Sequence, residues 1–174
     1  MLSWRISKYN PKFRNKKSEY QKDEWTSCYD IGKLYNEKEF SVKDYMSVEN
    51  AYINVLLSFL DITNTTVLIV KNLEKYNDNI NINESSLIYT EEMLKLFERI
   101  EENSVLEIND ILNLCRLILR EQLWGKLENE SSLYVHFGYD YYMYFGCSKN
   151  CKGLDEIIVK NGLFIEKLKS PYYE

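Results

Sequence analysis

The residues able to do chemistry fall into a few small groups. Cys147 and Cys151 stand close together in CSKNC, and with His136 and Cys28 they could supply a Cys₃His metal set if the fold brought them together. Structural zinc sites are usually built from two close ligand pairs, whereas this chain has a single pair. Buried thiols are therefore the expected state, and neither a metal nor another cofactor is expected. His136 is the only histidine. As a general base it would need a nucleophile beside it and an orienting carboxylate such as Asp140. On an extended segment it shares a face with Tyr134 and Gly138, opposite Leu133, Val135 and Phe137, which suits a hydrogen-bonded structural histidine. The six glycines are scattered, and no GxxxxGK, GxGxxG, HExxH or GxSxG pattern occurs. P-loop nucleotide hydrolysis and dinucleotide redox chemistry are thereby excluded, and no catalytic residue is assigned.

Two further groups suit binding better than catalysis. Residues 91–110 hold seven acids (Glu91, Glu92, Glu98, Glu101, Glu102, Glu107 and Asp110) against two bases. Such a stretch is either a solvated helix face or a docking surface that speeds association with a basic partner. The second group is the tyrosine cluster Tyr139, Tyr141, Tyr142 and Tyr144. Strand alternation sends about half of these inward, and exposed tyrosines supply large, rigid contact area with a polar end. Both groups are taken as partner-binding candidates.

The elements that must position these residues follow from periodicity. Ser3–Tyr9 reads as a first strand. Ser41, with Asp44 three residues on, caps a helix over 42–60 whose apolar residues recur at spacings of three and four. Residues 65–73 form a β-branched, buried strand. Thr90 caps a helix through 102. A second helix is expected from Asn109 or Asp110 to about Glu128, apolar around most of its circumference and hence central. Two short aromatic strands, 132–138 and 141–146, join at a tight turn near Tyr139 and Asp140. A short helix follows between Gly153 and Asn161, and LFIEKLKSPYY closes as an alternating strand. The order β-α-β-α-α-β-β-α-β defines one α+β domain over 1–174, a mixed or antiparallel sheet packed against three to four helices.

Charge and composition bound the function class. The 174 residues carry a net charge of −5, so one domain with an ordinary core is expected. Residues 1–22 hold seven bases and one acid, while the middle of the chain is acidic. A basic arm could contact a polyanion, but no nucleic-acid-binding motif accompanies it and the chain as a whole would repel one, so direct nucleic-acid binding is not expected. No apolar run reaches the roughly 20 residues that cross a bilayer, and the N-terminus lacks the apolar core of a secretory signal. Four cysteines are too few for a secreted disulfide scaffold. The expectation is a cytoplasmic protein with no membrane partner.

The segments WRISKYNPKFR, KDEWTSCYDIGK, VHFGYDYYMYFG and GLFIEKLKSPY together resemble small bacterial immunity proteins of contact-dependent growth inhibition and related polymorphic toxin systems. The resemblance spans most of the chain and carries no catalytic signature. It implies a cytosolic, non-enzymatic protein that binds one cognate toxin, above all a ribonuclease with a basic cleft, and blocks it. The alternative is a small-molecule-binding protein or enzyme, phage-encoded ones included, with an aromatic polar pocket around His136.

Overall fold

Hydrophobic alternation and capping build a helix-backed antiparallel sheet. The computed structural model describes residues 1–80, 82, 86–129 and 132–173. Ser41 accepts a hydrogen bond from the Asp44 backbone and Asp44 returns one to Ser41, a reciprocal cap that opens α1 (Val42–Thr63). Asn64 ends the helix in the left-handed conformation (φ 52°). Three shorter helices follow: α2 (Glu91–Arg99), capped by Thr90, then α3 (Ile108–Leu119) and α4 (Leu154–Lys160).

The strands are β1 (Leu2–Ser7), β4 (Val67–Lys75), β5 (Val105–Glu107), β6 (Leu123–Asn129), β7 (Leu133–Gly138), β8 (Tyr142–Cys147) and β9 (Phe164–Glu166), with β2 (Leu34–Tyr35) and β3 (Lys38–Glu39) forming a separate small hairpin. The main sheet runs in the order β5-β4-β6-β7-β8-β1-β9. All of its neighbours pair antiparallel. This is an α+β architecture. Ile6, Val70, Leu127, Val135, Met143 and Phe145 are buried in the core with the apolar side of α1. Phe59 of α1 stacks on Phe145 of β8 at 4.1 Å. Such a pair adds about 1 kcal/mol beyond its area burial. On the other face His136, Tyr144, Arg5 and Glu166 lie in one cross-strand row. That face is polar, yet Tyr134 and His136 are buried, because the chain beyond β9 folds back over it.

Several expectations are corrected. The helix expected from 109 to about 128 ends at Leu119, and 123–129 is instead strand β6, in the interior of the sheet. Glu121 turns the chain with a left-handed φ of 55°. Beyond it Leu123, Gly125, Lys126 and Leu127 are buried while Trp124 and Glu128 are half-buried, a largely buried inner strand that reads in sequence like an all-round apolar helix. The Thr90-capped helix stops at Arg99 rather than 102, which frees Val105–Glu107 to pair with β4 as β5. The closing strand spans only three residues before leaving β1.

Candidate functional site

The four tyrosines do not form one exposed cluster. Tyr139, at the hairpin tip, is 77% exposed, whereas Tyr141 and Tyr144 are 4% and 6% exposed. Two successive left-handed residues, Asp140 (φ 58°) and Tyr141 (φ 64°), make the turn. They swing the Tyr141 ring inward against Trp25 (4.9 Å), Tyr52 (5.6 Å) and Tyr45 (6.0 Å). Tyr142 is half-buried, its hydroxyl accepting from the Arg14 guanidinium at 3.0 Å, and Tyr144 lies beneath Tyr172 of the C-terminal segment. Tyr141 and Tyr144 are thus buried rather than exposed, Tyr141 within the core and Tyr144 on the opposite face of the sheet.

The acidic stretch stays largely at the surface but is not uniform. Glu91 pairs with Lys95 and Asp110 with Arg99. The Glu102 carboxylate accepts from the Asn72 and Leu73 backbone N–H groups at 3.1 and 2.8 Å, where the register of β4 against β6 shifts. Among the described residues Glu92, Glu98, Glu101 and Glu107 form no ion pair, and all four are exposed.

These two regions, far apart in sequence, are joined through the end of β4. Lys75 reaches from β4 to the Glu98 carbonyl at 3.4 Å and covers the Phe97 ring. Glu74 stands opposite Trp124, and the Tyr76 N–H bonds to the Gln122 carbonyl at 3.2 Å. Tyr76 and Trp124 then line a cavity of about 390 Å³ together with Glu121, Tyr139, Asp140 and the inner wall of Tyr141. The Trp124 indole is fixed there by donating to the Phe137 carbonyl at 2.9 Å. Tyr76, Glu121 and Trp124 escape a sequence reading. Trp124 and Glu121 fall inside an expected helix, and Tyr76 has no periodic context.

The basic arm is partly consumed internally. Arg5 makes a forked pair with Glu166, and Arg14 approaches the same carboxylate at 3.5 Å. Lys8 lies over the Tyr9 and Trp25 rings at 4.1 and 4.2 Å and bonds to Glu24 at 3.3 Å. Burial lowers its ammonium pKa to about 8, against the opposing pull of Glu24.

His136 takes partners other than Asp140. Its Nδ1 lies 2.9 Å from the Ser170 hydroxyl and its Nε2 2.9 Å from the Glu128 carboxylate. The ionised Glu128 carboxylate can only accept, which places the proton of the neutral ring on Nε2 and leaves Nδ1 to accept from the Ser170 hydroxyl, whose oxygen also accepts from the Tyr172 N–H. This serine–histidine–carboxylate order is that of a nucleophile relay, but Ser170 is buried and the arrangement ties the C-terminal segment to the sheet. A shallow pocket of about 330 Å³ opens beside it between Lys71, Glu128, Tyr134 and Tyr173, and His136 does not line it among the described residues. The cysteines do not join His136 either. Cys28 bonds to the Arg120 carbonyl, and no group of three metal-ligating side chains occurs among the described residues.

Burial lowers the His136 pKa from 6.5 to about 4, although the Glu128 hydrogen bond and charge oppose the shift. The unfolded chain therefore takes up a proton that the folded chain refuses between those two values. Stability contributed above pH 6.5 is lost as pH falls toward 4, by about 3 kcal/mol in all. Urea unfolding across that window should show this slope in the wild type and a flatter one in His136→Gln. Parallel slopes would remove His136 as the cause.

No protein-family model, curated protein or solved structure matches the chain. Fold and site define a helix-backed antiparallel sheet with an aromatic cavity, flanked by Glu121 and Asp140, at the tip of the β7–β8 hairpin. No helix among the described residues is long and apolar enough to cross a membrane.

Proposed function

We propose that this chain is a non-enzymatic immunity protein that binds and neutralises a basic toxin domain, a ribonuclease being the leading candidate, in the cytoplasm. The observation that carries the reading is that the Glu98 end of the acidic helix and the aromatic hairpin tip adjoin at the end of β4, where Lys75 bonds to the Glu98 carbonyl and Tyr76 lines the hairpin cavity. Unpaired carboxylates steer a basic partner, and exposed aromatic groups give the contact its specificity and residence time. The buried serine in the His136 relay argues against a hydrolytic role for that group.

Affinity capture from the source organism at moderate salt, followed by mass spectrometry, tests the reading. The expected result is one basic protein retained in about equimolar amount, whose toxic activity the pure chain suppresses. Recovery of only a small molecule on denaturation would overturn it. With the partner in hand, Glu92→Lys, Glu98→Lys and Glu101→Lys combined should slow association by about tenfold or more at low salt, with a smaller effect at high salt. Glu102 is left alone because its carboxylate holds the β4 backbone. An unchanged association rate would remove α2 from the interface.

A further inference from the structure

The cavity at the hairpin tip has a composition that restricts its occupant. Tyr76, Trp124 and Tyr139 supply aromatic surface, while Glu121 and Asp140 supply two carboxylates. Both acids are exposed, and among the described residues neither is ion-paired. Lys8, within electrostatic reach of Asp140, is already engaged by Glu24 and two rings. An anionic ligand would be repelled there. A neutral apolar ligand could use the aromatic and aliphatic lining but would leave both carboxylates without a partner. An ammonium could pair with the acids but is more strongly hydrated than a guanidinium, which also stacks on aromatic faces.

We infer that this cavity is a receptor for a guanidinium group, and specifically for an arginine side chain presented by the protein partner. The choice of source rests on the proposed function, because the cavity opens at the end of the acidic tract. The planar cation would lie against the Trp124 and Tyr76 surfaces and share its N–H donors between Glu121 and Asp140. Trp124 is pre-positioned for this by its hydrogen bond to Phe137, so little ordering is needed on binding.

The pocket chemistry can be tested on the isolated protein. N-acetyl-arginine amide and its neutral isostere N-acetyl-citrulline amide are titrated separately into ¹⁵N-labelled full-length chain. The expected result is a saturable shift of the Trp124 indole N–H and of the Tyr139 and Asp140 amides with the arginine compound. Binding should be weaker by about tenfold or more with the citrulline compound, and likewise for E121Q/D140N, the loss of one or two desolvated cation contacts. Equal binding of the two compounds, or shifts located elsewhere, would overturn the inference. A captured partner that binds E121Q/D140N as tightly as wild type, while arginine amide still selects the pocket, would overturn the assignment to a partner side chain. Capture of no basic protein, with the arginine selectivity intact, would sink the proposed function and leave the guanidinium chemistry standing.

Discussion

Arg120→Met should lower stability by about 3–5 kcal/mol, a fall of about 10 °C in Tm for a domain of this size. Arg120 is 2% exposed and lies at the end of α3, where its Nε and Nη2 meet both oxygens of Glu49, a fully buried residue on α1, at 2.7 Å each. Burial alone would lower the guanidinium pKa, but the hydrogen bonds and charge of Glu49 outweigh it and hold Arg120 above its ordinary value. Removing the cation leaves the buried carboxylate with Arg116, at 3.6 Å, as its one ion-pair partner among the described residues. The cost is that of a buried carboxylate that loses both close hydrogen bonds and one of its two cations, not the net worth of the pair. Glu49→Met with Arg120→Met should therefore be more stable than Arg120→Met alone, a coupling that chemical unfolding of the set would measure. A single-variant loss under about 1 kcal/mol would mean that the pair behaves like an exposed one. Arg120 also donates to the Ile88 carbonyl at 2.7 Å, just ahead of α2. Its loss should consequently disturb the placement of the acidic helix, and with it the binding of the partner proposed above.

Gly146→Ala is the second large effect, expected to cost about 3 kcal/mol or more, at the upper end of what overpacking does. A Cβ at this position would fall 1.9 Å from Tyr134 Cε1 and 2.3 Å from Cζ, far inside van der Waals contact. The Tyr134 ring cannot yield easily. It is buried, it stacks on His136 at 4.3 Å, and its hydroxyl accepts from the Ser170 N–H at 3.4 Å. Displacing it should also release the C-terminal segment, read as faster proteolysis after β9, and let the His136 pKa rise toward 6.5 as the ring gains solvent. Tyr134→Ala removes the obstacle, so adding Gly146→Ala to it should cost far less than Gly146→Ala does in the wild type. A full additional loss in the double variant would show that the backbone, not the Tyr134 ring, excludes the methyl group.

Some of the site was legible because its signals are local. The Ser41–Asp44 cap and the apolar spacing of α1 specify that helix within one stretch of chain, and the helix forms there. The aromatic hairpin was equally readable, since Leu133, Val135 and Phe137 alternate with Tyr134 and His136 and a turn must follow. The acidic stretch was visible as composition. Which of its carboxylates stay unpaired was not visible, because Arg99 meets Asp110, and the Glu102 partners lie about thirty residues back in β4.

The amino-acid sequence by itself determined the α+β class, the main caps, the hairpin and the separation of a basic arm from an acidic middle. Each depends on side-chain periodicity or charge within a few neighbouring residues. Only the tertiary structure decided that 123–129 is an inner strand, since a short apolar run suits helix or strand until a partner such as β4 is present to pair with it. Only it decided that Tyr141 and Tyr144 are covered, that Ser170 and Glu128 hold His136, and that Glu121, Trp124 and Asp140 meet in one cavity. Those meetings join residues distant along the chain, and chain order does not specify which strands pair or which segment folds back over a sheet face. The packing of the whole core settles that choice, because it alone buries the apolar faces of all the elements at once.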